Sequence, residues 1–216
     1  MLELFPGLML PGLLTAIGVL LAGAFLLRPG LARGRAGAVF GSVALLGVPA
    51  FLLWVGVDQH VQHSKATTFC LSCHAMWPYG ESLTESDEAL LAAVHFENRY
   101  VPEDAACYSC HTEYTLYGGL KAKLSGLDHM WHAYVAGVPD PIHLYNDYRN
   151  RECLRCHEGA PSFRQQPAHE GQLQALKEEE LSCLLCHGPV HAVEEGEVTA
   201  AIEGRREFRL PTGRLP

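Results

Sequence analysis

Two long uncharged runs open the chain and set its start apart from the rest. Leu8 to Leu27 is twenty residues without a charge, and Ala36 to Val57 is twenty-two. About 20 apolar residues in a helix cross the hydrocarbon core of a bilayer, so both runs are long enough. Pro11 and Pro49 fall inside them, which membrane helices tolerate because neighbouring groups re-satisfy the freed carbonyls. The first run has neither a basic flank before it nor a small-residue cleavage site after it, so it is expected to stay as a helix rather than leave as a signal peptide. Beyond Val57 no stretch keeps the period of two that a sheet requires. Short apolar clusters broken by Gly, Pro and polar residues predict short helices and loops instead. The expected fold is mostly α with much irregular loop. It comprises a membrane anchor over 1–57 with transmembrane helices at about 8–27 and 36–57, a compact domain over 58–192, and a polar tail over 193–216.

Charge orients that anchor. Between the runs lies Arg28-Pro29-Gly30-Leu31-Ala32-Arg33-Gly34-Arg35, a short loop whose three arginines are expected on the cytoplasmic side. Glu3 and everything from Asp58 onward then lie outside. The anchor carries Glu3 against three arginines, a net of +2, so the remainder of a chain of net −8 carries −10. No basic cluster suits nucleic acid.

The chemistry lies in the cysteines. Cys70-Leu71-Ser72-Cys73-His74 is two thiols two residues apart with a histidine directly after, the attachment pattern of a c-type haem. It recurs at Cys107–His111, Cys153–His157 and Cys183–His187, so Cys70, Cys73, Cys107, Cys110, Cys153, Cys156, Cys183 and Cys186 account for all eight cysteines. Zinc is bound by paired CxxC motifs too, but zinc does not call for a histidine after every second cysteine. Thioredoxin-like redox chemistry would need a βαβ surround that is absent. The pattern therefore predicts a tetrahaem cytochrome c domain in which much of the core is porphyrin. Such a domain should fold poorly without its cofactor. Covalent haem is normally installed outside the bacterial cytoplasmic membrane, in agreement with the charge-based topology.

Four haems offer eight axial positions, and the motifs supply His74, His111, His157 and His187. A low-spin electron-transfer haem takes a second strong ligand. His95 lies between the first two motifs, with eleven residues intervening before Cys107, and His169 lies between the last two, with thirteen intervening before Cys183. That correspondence suggests two di-haem halves made by duplication. His191 follows His187 by four residues, too close to serve the same haem easily but well placed for a neighbour. Met76 stands two residues after His74. Its thioether can ligate iron and raise its potential, although from spacing alone packing against the porphyrin is the simpler reading.

These residues resemble the NapC/NirT/NrfH family of membrane-anchored tetrahaem quinol dehydrogenases. The matching stretches are Cys70-x-x-Cys73-His74-Ala75-Met76, Val94-His95-Phe96-x-Asn98-Arg99, and Cys186-His187-Gly188-Pro189-Val190-His191. Within the family the NrfH branch, the electron donor to a pentahaem nitrite reductase, looks closest. There a lysine, six intervening residues and an aspartate lie between the halves, as Lys121 and Asp128 do here. The resemblance implies that Met76 ligates the first haem in place of His74, leaving a face open toward quinol. It implies that Lys121 and Asp128 face that quinol, and that His95 and His191 are distal ligands. It further implies that His169, or a residue of a partner protein, completes the second haem. The family usually has one anchor helix, so a second would be a departure, with a membrane partner as its expected contact.

The function implied is to take electrons from menaquinol or ubiquinol at the membrane surface and hand them to a periplasmic or membrane-associated reductase. Asp128 is the expected proton acceptor, and Lys121 the group that holds the quinol oxygen and favours the carboxylate. Two alternatives stay open: an electron-transfer subunit that never touches quinone, and quinone reduction in the reverse direction.

Overall fold

The computed structural model describes residues 15–24, 27, 28, 30, 33–85, 90–144, 147–205, 207 and 208. Among them there is no strand, and the chain divides into two units, Met1–His63 and Ser64–Pro216.

In the first unit α1 (Thr15–Ala24) is a ten-residue apolar helix and α2 (Gly34–His63) runs for thirty. Among the described residues α2 alone is long and apolar enough to cross a membrane, at about 45 Å of rise. The other expected span, 8–27, lies partly outside the described residues. Where α1 meets α2, a Cβ on Gly18 would stand 3.1 Å from Val48 Cγ1. In mid-helix Val43–Gly47 widens into a π turn, and Val48 N–H donates to the Val43 carbonyl, five residues back. Pro49 is the cause: it has no N–H to give and its ring crowds the preceding turn, so the helix takes in an extra residue. The helix also continues through the polar Asp58–His63, which contains no breaker. The helix therefore runs past Val57, the expected end of the second span, to His63.

The second unit is built from short helices: α3 (Thr67–Cys70), α4 (Trp77–Glu81), α5 (Leu91–Glu97), α6 (Ala106–Cys110), α7 (Gly118–Trp131), α8 (Asn150–His157), α9 (Pro161–Arg164), α10 (Leu173–Lys177), α11 (Leu184–His187) and α12 (Glu197–Ile202). Its side-chain core is small. Leu83, Phe96 and Ala106 form one buried cluster, with Ala92 and Val101 packed against it. Residues 193–216, expected to be a polar tail, contribute α12, whose Val198 and Ala201 are fully buried. The first turn of α12 is held by Asp140, whose Oδ2 accepts from Thr199 N at 2.9 Å. Beyond it Phe208 stacks on Trp77 with ring centroids 5.4 Å apart.

Two buried polar side chains tie the helices together in pairs. Thr67, three residues before Cys70, donates to the Glu103 carbonyl and accepts from Ala106 N, both at 2.8 Å. Asn150, three residues before Cys153, donates to the carbonyls of Leu176 and Leu181 and accepts from Cys183 N at 2.8 Å. Each clamp joins the helix of one cysteine motif to the next motif along the chain. Neither side chain can be buried at low cost unless all its polar atoms are paired, and both are well paired here.

Candidate haem centres

The clamps bring the motifs into a continuous row. Cys70 lies beside Cys107, and Cys153 beside Cys183, close enough for one thiol to act on the other. Burial and the neighbouring Cys183 push the Cys153 thiol up to about 12. Burial, then the nearby Cys156 of the third motif, raises the pKa of the Cys110 thiol in the second. Other contacts fix that middle junction. Tyr148 Oη donates to the Cys110 carbonyl at 2.8 Å, and Tyr114 Oη to the Ser109 carbonyl at 2.6 Å. The Arg155 guanidinium lies over the Tyr114 ring, and Tyr114 N donates to Glu152. None of the eight cysteines is in a disulfide.

Three of the four motif histidines face a second histidine. Ring centroids are 6.4 Å apart for His111 and His191, 5.9 Å for His157 and His95, and 6.0 Å for His187 and His169. With metal–nitrogen bonds of about 2 Å and half a ring on either side, two imidazoles sharing one iron have centroids about 6 Å apart. The donor set thus fits bis-histidine haem iron at three places. His191, expected to serve a neighbour of its own motif, lies opposite the second motif. His169, which the resemblance would assign to the second haem, lies instead against His187.

Each outer histidine has its far nitrogen engaged. His95 Nδ1 lies 2.8 Å from the Leu91 carbonyl and His169 Nδ1 2.9 Å from that of Phe163. His191 Nδ1 lies 2.7 Å from Ser82 Oγ, and the Ser82 hydroxyl donates to the Tyr79 carbonyl. With its proton committed there, Ser82 can only accept from His191. In all three rings Nδ1 is therefore the N–H, and Nε2 keeps the lone pair a metal needs. Burial, then the neighbouring His111, lowers His191 to about 4, which keeps the ring neutral. Burial lowers His111 and His157 as well, with further lowering by His129 and by His95, His187 and His169 respectively. His191 reaches its position because the first-turn N–H groups of α5, on Leu91 and Ala92, donate to the carbonyls of Pro189 and Val190.

The first motif differs. His74 is exposed, and the ring beside it is the Trp77 indole, with centroids 4.1 Å apart. Among the described residues no histidine faces His74. Met76 follows on the same 3₁₀ turn, His74–Met76, and is half-buried. Lys121 and Asp128 are seven residues apart on α7, close to one helical face. Lys121 is paired with Glu113, which also binds Arg151 at 2.6 Å. Those cations, Lys121 first, hold the Glu113 carboxyl below the usual range. Asp128 is exposed. The lysine that reaches the first motif is Lys123. Its Nζ donates to the Ser64 carbonyl at 2.6 Å and lies 4.8 Å from the centre of the Tyr108 ring. Burial lowers its pKa while the Cys70 thiol opposes that shift.

Repeated CxxCH motifs in one row, with imidazole pairs spaced for iron, define a multihaem c-type cytochrome of electron transport. The family described as NapC/NirT cytochrome c family, N-terminal region, matches residues 34–195. The chain belongs to that family. Among curated proteins it is 25% identical to denitrification system component NirT of Stutzerimonas stutzeri, over 72% of this chain and 83% of NirT. It is 24% identical to the cytochrome c-type protein NapC of Haemophilus influenzae, over 67% of this chain and 76% of NapC. It is 27% identical to the cytochrome c-type protein TorC of Escherichia coli, over 59% of this chain and 35% of TorC. No solved structure matches.

Proposed function

We propose that this chain carries four haems c and moves electrons from a membrane quinol to a periplasmic reductase, a pentahaem nitrite reductase being the acceptor its NrfH-like features favour. When bound, haem c supplies one-electron transfer, and the chain's own residues decide where and how tightly it is held. The eight motif cysteines attach the four groups. His111 with His191, His157 with His95, and His187 with His169 hold three of them between paired imidazoles. The observation that carries this reading is the imidazole spacing of 5.9–6.4 Å at three motifs and its absence at the first. Six-coordinate iron is closed to substrate, so the first motif is left for quinol, with Met76 or His74 as its ligand.

Only six residues separate the end of α2 at His63 from Cys70. At about 3.5 Å per residue this keeps the first motif within roughly 25 Å of the end of the anchor helix. The three loop arginines orient that anchor with the haem domain on the periplasmic side, and residues 8–27 form its second span. At the quinol site Asp128 takes one of the two protons released as quinol is oxidised, the other passes to water, and the two electrons leave one at a time. Lys121 holds the quinol oxygen, exchanging Glu113 for it. The test is reduction of the full-length, haem-loaded protein in detergent by a menaquinol analogue, with dithionite as control. Reduction by both at a rate that supports turnover is expected. Reduction by dithionite alone would leave an electron-transfer subunit with no quinol site.

A further inference from the structure

We infer that α7 lies flat on the bilayer surface as an interfacial helix, a second point of membrane attachment for the haem domain. Leu120, Leu124 and Leu127 form a row at spacings of four and three residues, with Tyr117 before it and Trp131 and Tyr134 after it. These six side chains are 57% to 79% exposed. The opposite face of the helix, with Ala122, Ser125 and Gly126, is half-buried. At 3.6 residues per turn the six share one side of the helix, and so large an apolar face is not left to water without an occupant.

Three observations make that occupant lipid. The first is composition, since a leucine row bounded at both ends by Tyr and Trp matches an interfacial helix with its aromatic rings at headgroup level. The second is charge: from Thr115 to Gly137 the only charged residues are Lys121, Lys123 and Asp128, a net of +1. The sequence from Asp58 onward carries −10, so this stretch, unlike the domain as a whole, is one that anionic headgroups would not repel. The third is continuity with the anchor. Lys123 of α7 donates to the carbonyl of Ser64, and Ser64 directly follows His63, the last residue of α2. The inference rests on α2 being a membrane anchor.

Site-specific photocrosslinking tests it. The full-length, haem-loaded protein carries p-benzoylphenylalanine in place of Leu120, Leu124, Leu53 or Glu180, one at a time. It is irradiated in nanodiscs of palmitoyl-oleoyl phosphatidylglycerol and phosphatidylethanolamine, and lipid adducts are counted by mass. Leu53 of α2 reports the anchor, and Glu180, exposed elsewhere on the domain, sets the background. Lipid adducts at Leu120 and Leu124 at least tenfold above Glu180 are expected. Adducts at Leu53 with Leu120 and Leu124 at background overturn the interfacial helix while keeping the anchor. Protein adducts at Leu120 or Leu124 in place of lipid, to a second copy or to a reductase, overturn it as well. Background yield at Leu53 removes the anchor and the inference with it.

Discussion

The two halves of the second unit use one clamp and two different pairings of histidines. Thr67 and Asn150 occupy the same place three residues before a motif cysteine, and each reaches the backbone at the start of the following motif. In the second half the histidine between motifs, His169, faces the later motif of its own half, at His187. Its counterpart His95 does not. It faces His157 across the halves, and His191 returns from the chain's end to face His111. The two halves thus share a hydrogen-bonded frame, while the histidines that face their motifs are exchanged between them. The exchange leaves the first motif without a facing imidazole, and that asymmetry gives the row one open end.

Removing a facing histidine should have the largest effect. His95→Ala, His169→Ala and His191→Ala are each expected to turn one low-spin haem fully high-spin, read by electron paramagnetic resonance and the visible spectrum. An unchanged spectrum for any of the three would break that pairing. Next is the open end. Asp128→Asn should keep all haems and normal dithionite reduction while quinol reduction slows by about 10²–10⁴-fold, as when a general base is lost. Stopped-flow mixing with a menaquinol analogue measures it, and a wild-type rate would make Asp128 ordinary solvated surface.

The clamps come third, and they differ in expected cost. Asn150→Ala removes three hydrogen bonds and leaves the Leu181 carbonyl and the Cys183 N–H unpaired, for a loss of about 3–5 kcal/mol. Thr67→Val leaves one of each and should cost about 1–3 kcal/mol. Chemical denaturation of the haem-loaded protein compares them, and a larger loss for Thr67→Val would contradict the shared frame. The smallest effect is expected at Ser82→Ala. His191 stays in place but loses the acceptor for its Nδ1 proton, becomes a weaker donor, and favours reduced iron. The potential of one haem should rise by on the order of 10–50 mV with its spin state unchanged. No shift in a redox titration would mean that Ser82 does not tune the ligand.

Much of this was legible in the chain. The four motifs, the α2 span and the outer histidines could be read from spacing alone, because covalent attachment and bilayer crossing both demand fixed residue types at fixed separations. Which histidine faces which could not. The exchange of His95 and His191 depends on the Pro189 and Val190 carbonyls docking on the first turn of α5, a contact between segments almost a hundred residues apart in a fold with no periodic signal to reveal it. The clamps did leave a trace, a polar residue three before Cys70 and Cys153, but Thr67 and Asn150 differ in kind and the match shows only with the hydrogen bonds in view. The partner of Lys121 was equally hidden. Glu113 is eight residues away and meets Lys121 because the chain turns at Gly118, where a Cβ would overlap the Glu113 carbonyl. Burial of α12 was masked by its polar surroundings, since only Val198 and Ala201 go fully inside.

The most direct test of the central claim is a quantitative electron paramagnetic resonance spectrum of the oxidised, full-length protein with all its haems. Three low-spin bis-histidine signals of equal intensity and a fourth haem with a different signature are predicted. Four equivalent bis-histidine signals would mean that a histidine also closes the first motif, and the open end proposed for quinol would not exist.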